Sequence, residues 1–274
     1  MNKRDTIRPK LVPPRGILRA RADLPAPGYG RYWPAEDLAP FVEHFWTVSW
    51  DLETPETREV LPHPSVQIVL EAGASRVAGV PRGRFTRQLE GRGRVLGTKF
   101  RPGGFRPFIH GPVSALTGRV TTLSELFGPL AHALEAEALA PQDAVAGFER
   151  VQEFLRGRHP VPDDNIDLVS GIAERVAKDR EIMRVEQLVQ LSGLSVRALQ
   201  RLFSEYVGVS PKWIIQRYRL HEAAQRIVDA PDPGAENWAS LALDLGYSDQ
   251  AHFIRDFRRI VGQTPAVYAR SIER

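Results

Sequence analysis

The chain has 274 residues, of which 42% are apolar, so it can form two domains that each bury a core. It contains no cysteine, which excludes disulfides, thiolate zinc sites and the DNA-repair methyl acceptors that need a reactive thiol. Its start is polar and proline-rich, and no stretch reaches the roughly 20 apolar residues that span a bilayer. We therefore expect a soluble, cytoplasmic protein with no membrane partner.

The positive charge is distributed unevenly along the chain. The net charge is +4, but residues 181–274 carry 12 Lys and Arg against 11 Asp and Glu. The excess lies in residues 1–40, with 8 against 4, and in residues 81–119, with 9 against 1. The second run fits an anionic effector, nonspecific phosphate contacts or a solvated surface. An argument for DNA must therefore rest on individual cations.

Strands are predicted in the first third, where apolar and polar residues alternate at 41–48, 65–70 and 94–100. Proline and glycine clusters between them predict the tight turns of a small β-barrel or sandwich. Helical spacing follows and ends at the two prolines of residues 159–162. The predicted organisation is an arm at 1–35, a β-rich sensor or dimerisation domain with terminal helices at 36–160, a linker at 161–166 and an all-helical domain at 167–274.

The helical domain shows apolar residues three and four apart in seven segments. The fourth is the longest, and Ser210-Pro211 supplies its N-cap and a proline in the first turn. Residues 231–234, Pro-Asp-Pro-Gly, stop it. The predicted helices are 167–178, 185–192, 195–206, 211–228, 238–245, 249–260 and 265–270.

A short pattern occurs twice in this domain. Its first copy contains Gly193-Leu194-Ser195, Arg201-Leu202-Phe203 and Gly208-Val209-Ser210-Pro211, and its second contains Gly246-Tyr247-Ser248, Arg255-Asp256-Phe257 and Gly262-Gln263-Thr264-Pro265. The arginines and the later glycines are 54 positions apart, and the first glycines are 53 apart. Two amphipathic segments around a glycine turn predict a helix-turn-helix in each copy. The predicted fold class is α+β: a β-rich, barrel-like domain, then an all-α domain of two helix-turn-helix units joined by a long linker helix.

The outward faces of the two second helices carry side chains that can read DNA. In the first copy Leu199, Leu202 and Phe203 form the inward stripe and leave Arg and Gln outside. In the second copy Phe253, Phe257 and Ile260 face inward. Arg and Gln make bidentate hydrogen bonds to guanine and adenine edges in the major groove. The alternative for any one of these residues is a solvated polar face.

The helix between the copies gives a geometric reason for DNA binding. About 20 residues at about 1.5 Å each span about 30 Å, close to the roughly 34 Å of one DNA turn. A spacer of this length can place two recognition helices in successive major grooves. Candidates for phosphate contacts, with a solvated face as the alternative, are Ser195, Lys212, Arg217, Arg219 and Arg259.

Residues 167–274 resemble the AraC/XylS-type DNA-binding domain. The resemblance rests on residues 223–227 of the linker helix, Leu241-Ala242, the run 246–250, His252-Phe253 and the motifs of the second repeat copy. In that family both second helices enter the major groove. The resemblance therefore implies base-reading roles for Arg197, Gln200, Arg201, Gln250, His252 and Arg255, whereas the base preferences do not carry over.

Residues 36–128 resemble, less specifically, the cupin-like amino-terminal domain of an AraC-type subgroup, which senses a ligand or dimerises in relatives. The matching segments include residues 38–43, 61–65, 97–104 and 116–120. The histidines lack the His-x-His spacing of cupin metal sites, so no metal or other cofactor is predicted. Candidates for a ligand pocket are Trp46, His63 and Arg101. A core position for Trp46 and a hydrogen-bonded structural role for His63 are the alternatives.

The predicted function is a sequence-specific transcriptional regulator, not an enzyme, that reads two adjacent major grooves and is modulated by its first domain. Double-stranded DNA is the predicted partner, and RNA polymerase, a small-molecule effector and a second copy of the chain are further candidates. The rival is a cupin-like enzyme or ligand-binding protein with an accessory helix-turn-helix arm. A protein-interaction module without DNA affinity is the third hypothesis.

Overall fold

The computed structural model of the chain describes residues 28–61, 63–129, 131–230 and 237–272. Its first half is built on one antiparallel sheet, in the order β1-β2-β5-β3-β4-β6. The strands are β1 (Gly28–Tyr32), β2 (Val42–Val60), β3 (Gln67–Leu70), β4 (Arg76–Ala78), β5 (Phe85–Phe100) and β6 (Val120–Thr122). Residues 28–32 of the predicted arm thus belong to the sheet, and residues 1–27 of that arm lie outside the described residues.

Two tryptophan–glycine pairs fit the long β2–β5 ribbon together. Trp46 lies opposite Gly97 and Trp50 opposite Gly93, and each indole ring covers the glycine across the strands. A Cβ added at Gly97 would come within 1.9 Å of the Trp46 ring, so only glycine fits there. The structure places Trp46 and Trp50 on one face of the sheet, where they pack against backbone.

Three helices cover the inner face of the sheet: α1 (Leu123–Phe127), α2 (Ala131–Leu139) and α3 (Ala144–Arg156). Phe148 of α3 is fully buried and stacks on Phe45 of β2, with ring centroids 5.0 Å apart. Phe100, Phe105 and Phe108 continue the same core. The β-rich first half of the chain therefore consists of one sheet packed against three helices.

The second half contains the seven predicted helices. They are α4 (Asp164–Lys178), α5 (Val185–Ser192), α6 (Val196–Tyr206), α7 (Pro211–Asp229), α8 (Trp238–Asp244), α9 (Gln250–Val261) and α10 (Pro265–Ile272). The helix α4 begins earlier than the predicted residue 167, because the Asp163 carboxylate accepts hydrogen bonds from the backbone N–H groups of Asn165 and Ile166. The fold class predicted from the sequence is confirmed.

Each helix-turn-helix unit has its own core on its own part of α7. In the first unit Leu188 of α5 and Leu199 and Phe203 of α6 pack with Ile214 of α7. In the second unit Leu241 of α8 and Phe253 and Phe257 of α9 pack with Leu220 of α7. Each core also contains one buried residue of the sheet domain: Val80 in the first unit and Leu61 in the second.

Candidate nucleic-acid interface

The helix α6 presents three unpaired polar side chains to solvent. Ser195 caps the helix, since its Oγ accepts the backbone N–H of Ala198 at 3.2 Å. Leu199 and Phe203 are fully buried and fix which side faces out. Arg197, Gln200 and Arg201 are exposed, and their side chains make no hydrogen bond or ion pair to any described residue. They are therefore free to bind a partner outside the chain.

The helix α9 repeats this arrangement with one difference. Gln250 and Arg255 are exposed and have no hydrogen bond or ion pair within the described residues. His252 is held on both sides: Ser248 Oγ lies 3.3 Å from its Nδ1, and Asp256 Oδ2 lies 3.7 Å from its Nε2. The second unit thus offers two free side chains and one whose ring orientation is fixed.

Asp256 connects α9 to the linker helix, a role that the sequence analysis did not assign. Its carboxylate accepts hydrogen bonds from Arg259 at 2.9 Å and from Gln216 of α7 at 3.4 Å, in addition to its contact with His252. Asp256 is 9% exposed, whereas Arg259 remains largely exposed. A carboxylate in an outward-facing recognition motif, at helical spacing from two cations, was the signal available in the sequence.

The outer surface of α9 forms an open depression of about 620 Å³ that is lined by apolar side chains and arginines. Ala251 and Ile254 contribute apolar surface, and Arg255, Arg258 and Arg259 contribute the charge. Arg258 is exposed and has no polar contact to any described residue; it was not among the residues predicted from the sequence. Apolar groups beside arginines suit the thymine methyl groups and phosphates of a DNA groove.

Two of the predicted phosphate contacts are wrong in this structure, because their side chains are buried. Arg217 is 1% exposed and Arg219 is 4% exposed. The Arg217 guanidinium packs on the Trp213 ring, 4.4 Å from its centroid. Arg219 donates to the carbonyl oxygen of Ile182 and pairs with Glu222 at 3.4 Å. Neither guanidinium can reach a DNA phosphate without leaving these partners.

Burial lowers the pKa of both arginines. It lowers the pKa of Arg217 to about 10, and the nearby charge of Arg259 acts in the same direction. Burial also lowers the pKa of Arg219, against the opposing effect of Glu222. Of the predicted phosphate contacts on the linker helix, Lys212 is the exposed one.

The candidate pocket residues lie in separate surroundings. Trp46 Nε1 donates to Gln67 Oε1 at 3.0 Å. The ring of His63 stacks on His221 of α7, with centroids 4.4 Å apart and an angle of 18° between the planes. Arg101 is half-buried near Glu174 of α4. None of them lines the groove of about 910 Å³ in the sheet domain, whose walls include Trp50, Arg58 and Arg92. A pocket shared by the three candidates stays a prediction.

Two other kinds of site are absent from the described residues. Among the described residues no group of three or more His, Asp or Glu side chains is placed to hold a metal ion. In the same ranges no helix combines the length and the apolar character needed to cross a bilayer.

Comparison with family models gives two matches. Residues 30–122 match a domain of unknown function (DUF6597), and residues 188–271 match a helix-turn-helix domain. The first match covers most of the sheet, and the second contains the linker helix and both recognition helices. The two halves of the chain are thus matched by separate families.

Relatives of known name match less than half of this chain. The chain is 26% identical to the XylDLEGF operon transcriptional activator 3 of Pseudomonas putida, over 43% of this chain and 30% of that protein. It is 31% identical to the HTH-type transcriptional regulator GlxA of Rhizobium meliloti, over 49% of this chain and 37% of that protein. The chain therefore spans about a third of the length of these two relatives.

A probable AraC family transcriptional regulator from Rhodopseudomonas palustris has a solved structure that is 27% identical, covering 39% of this chain and 97% of that one. Its TM-score is 0.34. The sequence matches are a DUF6597 domain followed by a helix-turn-helix domain, and relatives that are named transcriptional regulators. These matches support an AraC/XylS-type transcriptional regulator, with its helix-turn-helix domain in residues 188–271.

Proposed function

We propose that this protein is a sequence-specific DNA-binding transcriptional regulator that reads two adjacent major grooves with α6 and α9. One observation carries the proposal: both helices bury one face and leave unpaired Arg and Gln side chains on the other. Most arginines of the sheet domain have carboxylate or carbonyl partners, so unpaired ones on both repeat copies are distinctive.

The proposed contacts divide into two groups. Arg197, Gln200 and Arg201 of α6 and Gln250, His252 and Arg255 of α9 would contact base edges. Contacts to phosphates would come from Ser195, Lys212, Arg258 and Arg259. Arg258 is added to the sequence-based set because it is exposed and lies in the last turn of α9.

The linker helix supports simultaneous reading of two grooves. The 19 residues of α7 span about 28 Å at 1.5 Å per residue. The centres of two half-sites on one face of DNA lie about 34–36 Å apart. Because α7 contributes to both cores, it acts as a shared strut between the two units.

The proposal also includes the partners of the protein and its location in the cell. The sheet domain would modulate DNA binding through a small-molecule effector or through contact with a second copy, and RNA polymerase would be contacted at the promoter. The protein would act in the cytoplasm. Catalysis is not part of the proposal. The features that support the proposal are the exposed Arg and Gln side chains of the two helix-turn-helix units.

Affinity selection from a random duplex DNA library with the full chain tests the function. We expect recovery of two short motifs whose centres lie about 10–10.5 bp apart. The double variant Arg201→Ala/Arg255→Ala is the control and should recover neither motif. Recovery of unrelated sequences by the wild-type chain, indistinguishable from those of the control, would rule the proposal out.

A further inference from the structure

The sheet domain supplies one fully buried apolar side chain to each helix-turn-helix core. Val80 is 1% exposed and packs in the core of the first unit, with Leu199, Phe203 and Ile214. Leu61 is 0% exposed and packs in the core of the second unit, with Phe253. Burying such a side chain removes apolar surface from water, which stabilises the contact between the two domains. Each unit is therefore anchored to the same sheet domain through its interior.

Polar contacts repeat this attachment at equivalent positions of the two units. Gly208 and Gly262 follow the recognition helices and occupy the same place in the repeat. Thr117 Oγ1 donates to the Gly208 carbonyl oxygen at 2.6 Å. The Arg84 guanidinium lies against Gly262, so close that an added Cβ would be 2.5 Å from its Cζ. Both glycine turns thus lie directly on side chains of the sheet domain.

Arg84 is itself held in position. Its Nη1 donates to Glu59 Oε1 at 3.0 Å and lies 3.5 Å from the Val261 carbonyl oxygen at the end of α9. Glu59 is buried in the sheet domain. On the first unit, Arg106 pairs with Glu205 of α6 at 2.7 Å. The end of each recognition helix is therefore tied to the sheet domain by an arginine.

Contacts also occur halfway between the units, on the linker helix. Arg217 donates to the carbonyl oxygens of Pro81 and Arg82 at 3.4 Å and 3.3 Å. His63 stacks on His221, one turn further along α7. Residues 80–84 therefore follow α7 from the first unit to the second, and Leu61 and His63 lie beside His221 and the second unit. We call Glu59, Leu61, His63 and residues 80–84, together with Thr117, the clamp.

A clamp at three points along α7 restricts motions that the helix alone permits. Long helices bend gently, and a bend in α7 would change both the distance and the angle between α6 and α9. On DNA, a shift of one base pair along the helix corresponds to a rotation of about 35°, because one turn takes about 10–10.5 bp. Small changes in α7 thus decide which half-site spacing the two helices can read together.

We propose that Leu61, Arg84, Val80 and Thr117 are specificity-determining residues that set the spacing between the two half-sites. They touch no base; they fix the separation and rotation of the two recognition helices through the sheet domain. The inference rests on the proposed function for its meaning on DNA. The clamp should also fix the distance between α6 and α9 in the free protein, and that distance is measured separately.

The first test measures the distance between the two recognition helices without DNA. The chain has no cysteine, so spin labels at Ser204→Cys of α6 and Arg258→Cys of α9 report one distance by double electron–electron resonance. We expect a narrow distribution in the otherwise wild-type chain and a broader or shifted one with Arg84→Ala. Leu61→Ala/Arg84→Ala should broaden it further, and Arg82→Ala, whose backbone carbonyl stays in place, should leave it unchanged.

The second test repeats the selection from random duplex DNA with the unlabelled Arg84→Ala and Arg82→Ala chains. Wild type and Arg82→Ala should recover one spacing, whereas Arg84→Ala should recover the same two motifs at several spacings. A distance distribution and a spacing in Arg84→Ala that equal those of wild type would overturn the clamp. If wild type recovers no motif, the proposed function fails, and the distance measurement still decides on the clamp.

Discussion

Arginine has three different roles in this protein, and the surroundings of each side chain determine which one it takes. Arg201 and Arg255 are exposed and unpaired. Arg106 pairs with Glu205 across the domain interface, and Arg84 lies against the Val261 carbonyl oxygen across it. Arg217 is buried against Trp213. The first role could be predicted from helical spacing. The second and third include contacts between residues more than 90 positions apart, such as Arg106 with Glu205 and Arg217 with the Pro81 carbonyl oxygen, so a local pattern could not find them.

Replacing Arg201 or Arg255 by alanine should cost about 1–3 kcal/mol of binding free energy on the selected site and relax the preference at one base position. Each removes a guanidinium that has no partner in the protein, so folding should be little affected. Titration of the selected duplex and of single-base variants measures both effects.

Lys212→Ala provides the contrast, because a phosphate contact carries no sequence information. It should weaken selected and random duplexes by the same factor. Equal losses on selected and random DNA for Arg201→Ala and Arg255→Ala as well would contradict the division between base-reading and phosphate contacts.

The protein should lose stability as the pH falls below about 6.5, the usual pKa of histidine. Burial lowers the pKa of His63 well below that value, and the charges of Lys99 and His221 add to this, with Glu43 opposing. Burial likewise lowers the pKa of His44. The unfolded chain therefore binds protons that the folded chain does not, and each such histidine costs up to about 1.4 kcal/mol per pH unit.

Melting temperatures between pH 7.5 and pH 5.5 check this expectation. His63 faces Lys99, Glu43, His44 and His221 and lies beside the Tyr218 ring, so its replacement acts at one interface. His63→Gln should reduce the acid-induced drop, whereas replacing the exposed His132 by Gln should not. If the melting temperature of His63→Gln falls with pH as much as that of wild type, groups other than His63 cause the loss of stability.

At the level of elements, the helices follow local signals and the sheet does not. Ser195, Ser210 and Asp249 cap α6, α7 and α9, and each is visible in the sequence as a polar residue before an apolar stripe. The strand β2, in contrast, continues to Val60 through the charged residues 51–59 and Pro55. In that stretch apolar and polar residues do not alternate. It pairs with β5 through a register shift between Leu52 and Glu56, which interrupts the regular pairing of the two strands.

The two glycine turns of the first helix-turn-helix should respond differently to alanine. Gly193 has a φ of +70° and nothing within 4 Å of an added Cβ. Gly208 has a φ of +91°, and its added Cβ would lie 2.6 Å from Thr117 Oγ1. Both substitutions pay about 1–2 kcal/mol for the left-handed backbone, and Gly208→Ala must also displace Thr117.

Denaturant midpoints of the two variants measure the difference. Gly208→Ala should shift the midpoint further than Gly193→Ala, and adding Thr117→Ala to Gly208→Ala should recover part of the loss. Equal shifts for the two single variants would show that the sheet domain does not press on the Gly208 turn.

At the scale of the whole molecule, the helical half and the sheet half share their interiors. Leu61 follows β2 and Val80 follows β4, in the part of the chain predicted to be the first domain, and both side chains are buried in the second. The sequence repeat identified the two units because it is a property of the chain alone. It could not reveal what completes their cores, since those contacts join distant segments.

Leu61→Ala and Val80→Ala should therefore affect different halves of the DNA site. Replacing a buried Leu by Ala costs about 2–5 kcal/mol, and the loss should fall on the unit whose core contains the side chain. Selection with Leu61→Ala should lose the motif read by α9 first, and selection with Val80→Ala the motif read by α6. The variant Arg255→Ala identifies the motif read by α9, and the variant Arg201→Ala identifies the motif read by α6.

Matched controls remove the same atoms from the surface. Leu243 is 63% exposed and Val120 is 66% exposed, so Leu243→Ala and Val120→Ala should leave both motifs and the melting temperature unchanged. Loss of both motifs together in Leu61→Ala and in Val80→Ala would mean that the units unfold as one, rather than each depending on its own anchor.

The two buried anchors also limit how this protein can be recombined with its relatives. A chimaera that joins residues 161–274 to a foreign sensor would leave an open apolar pit in each helix-turn-helix unit where Leu61 and Val80 had been. Such pits favour aggregation and proteolysis. A functional graft would have to bring segments 59–63 and 80–84 with it, so the natural unit of exchange is larger than either domain.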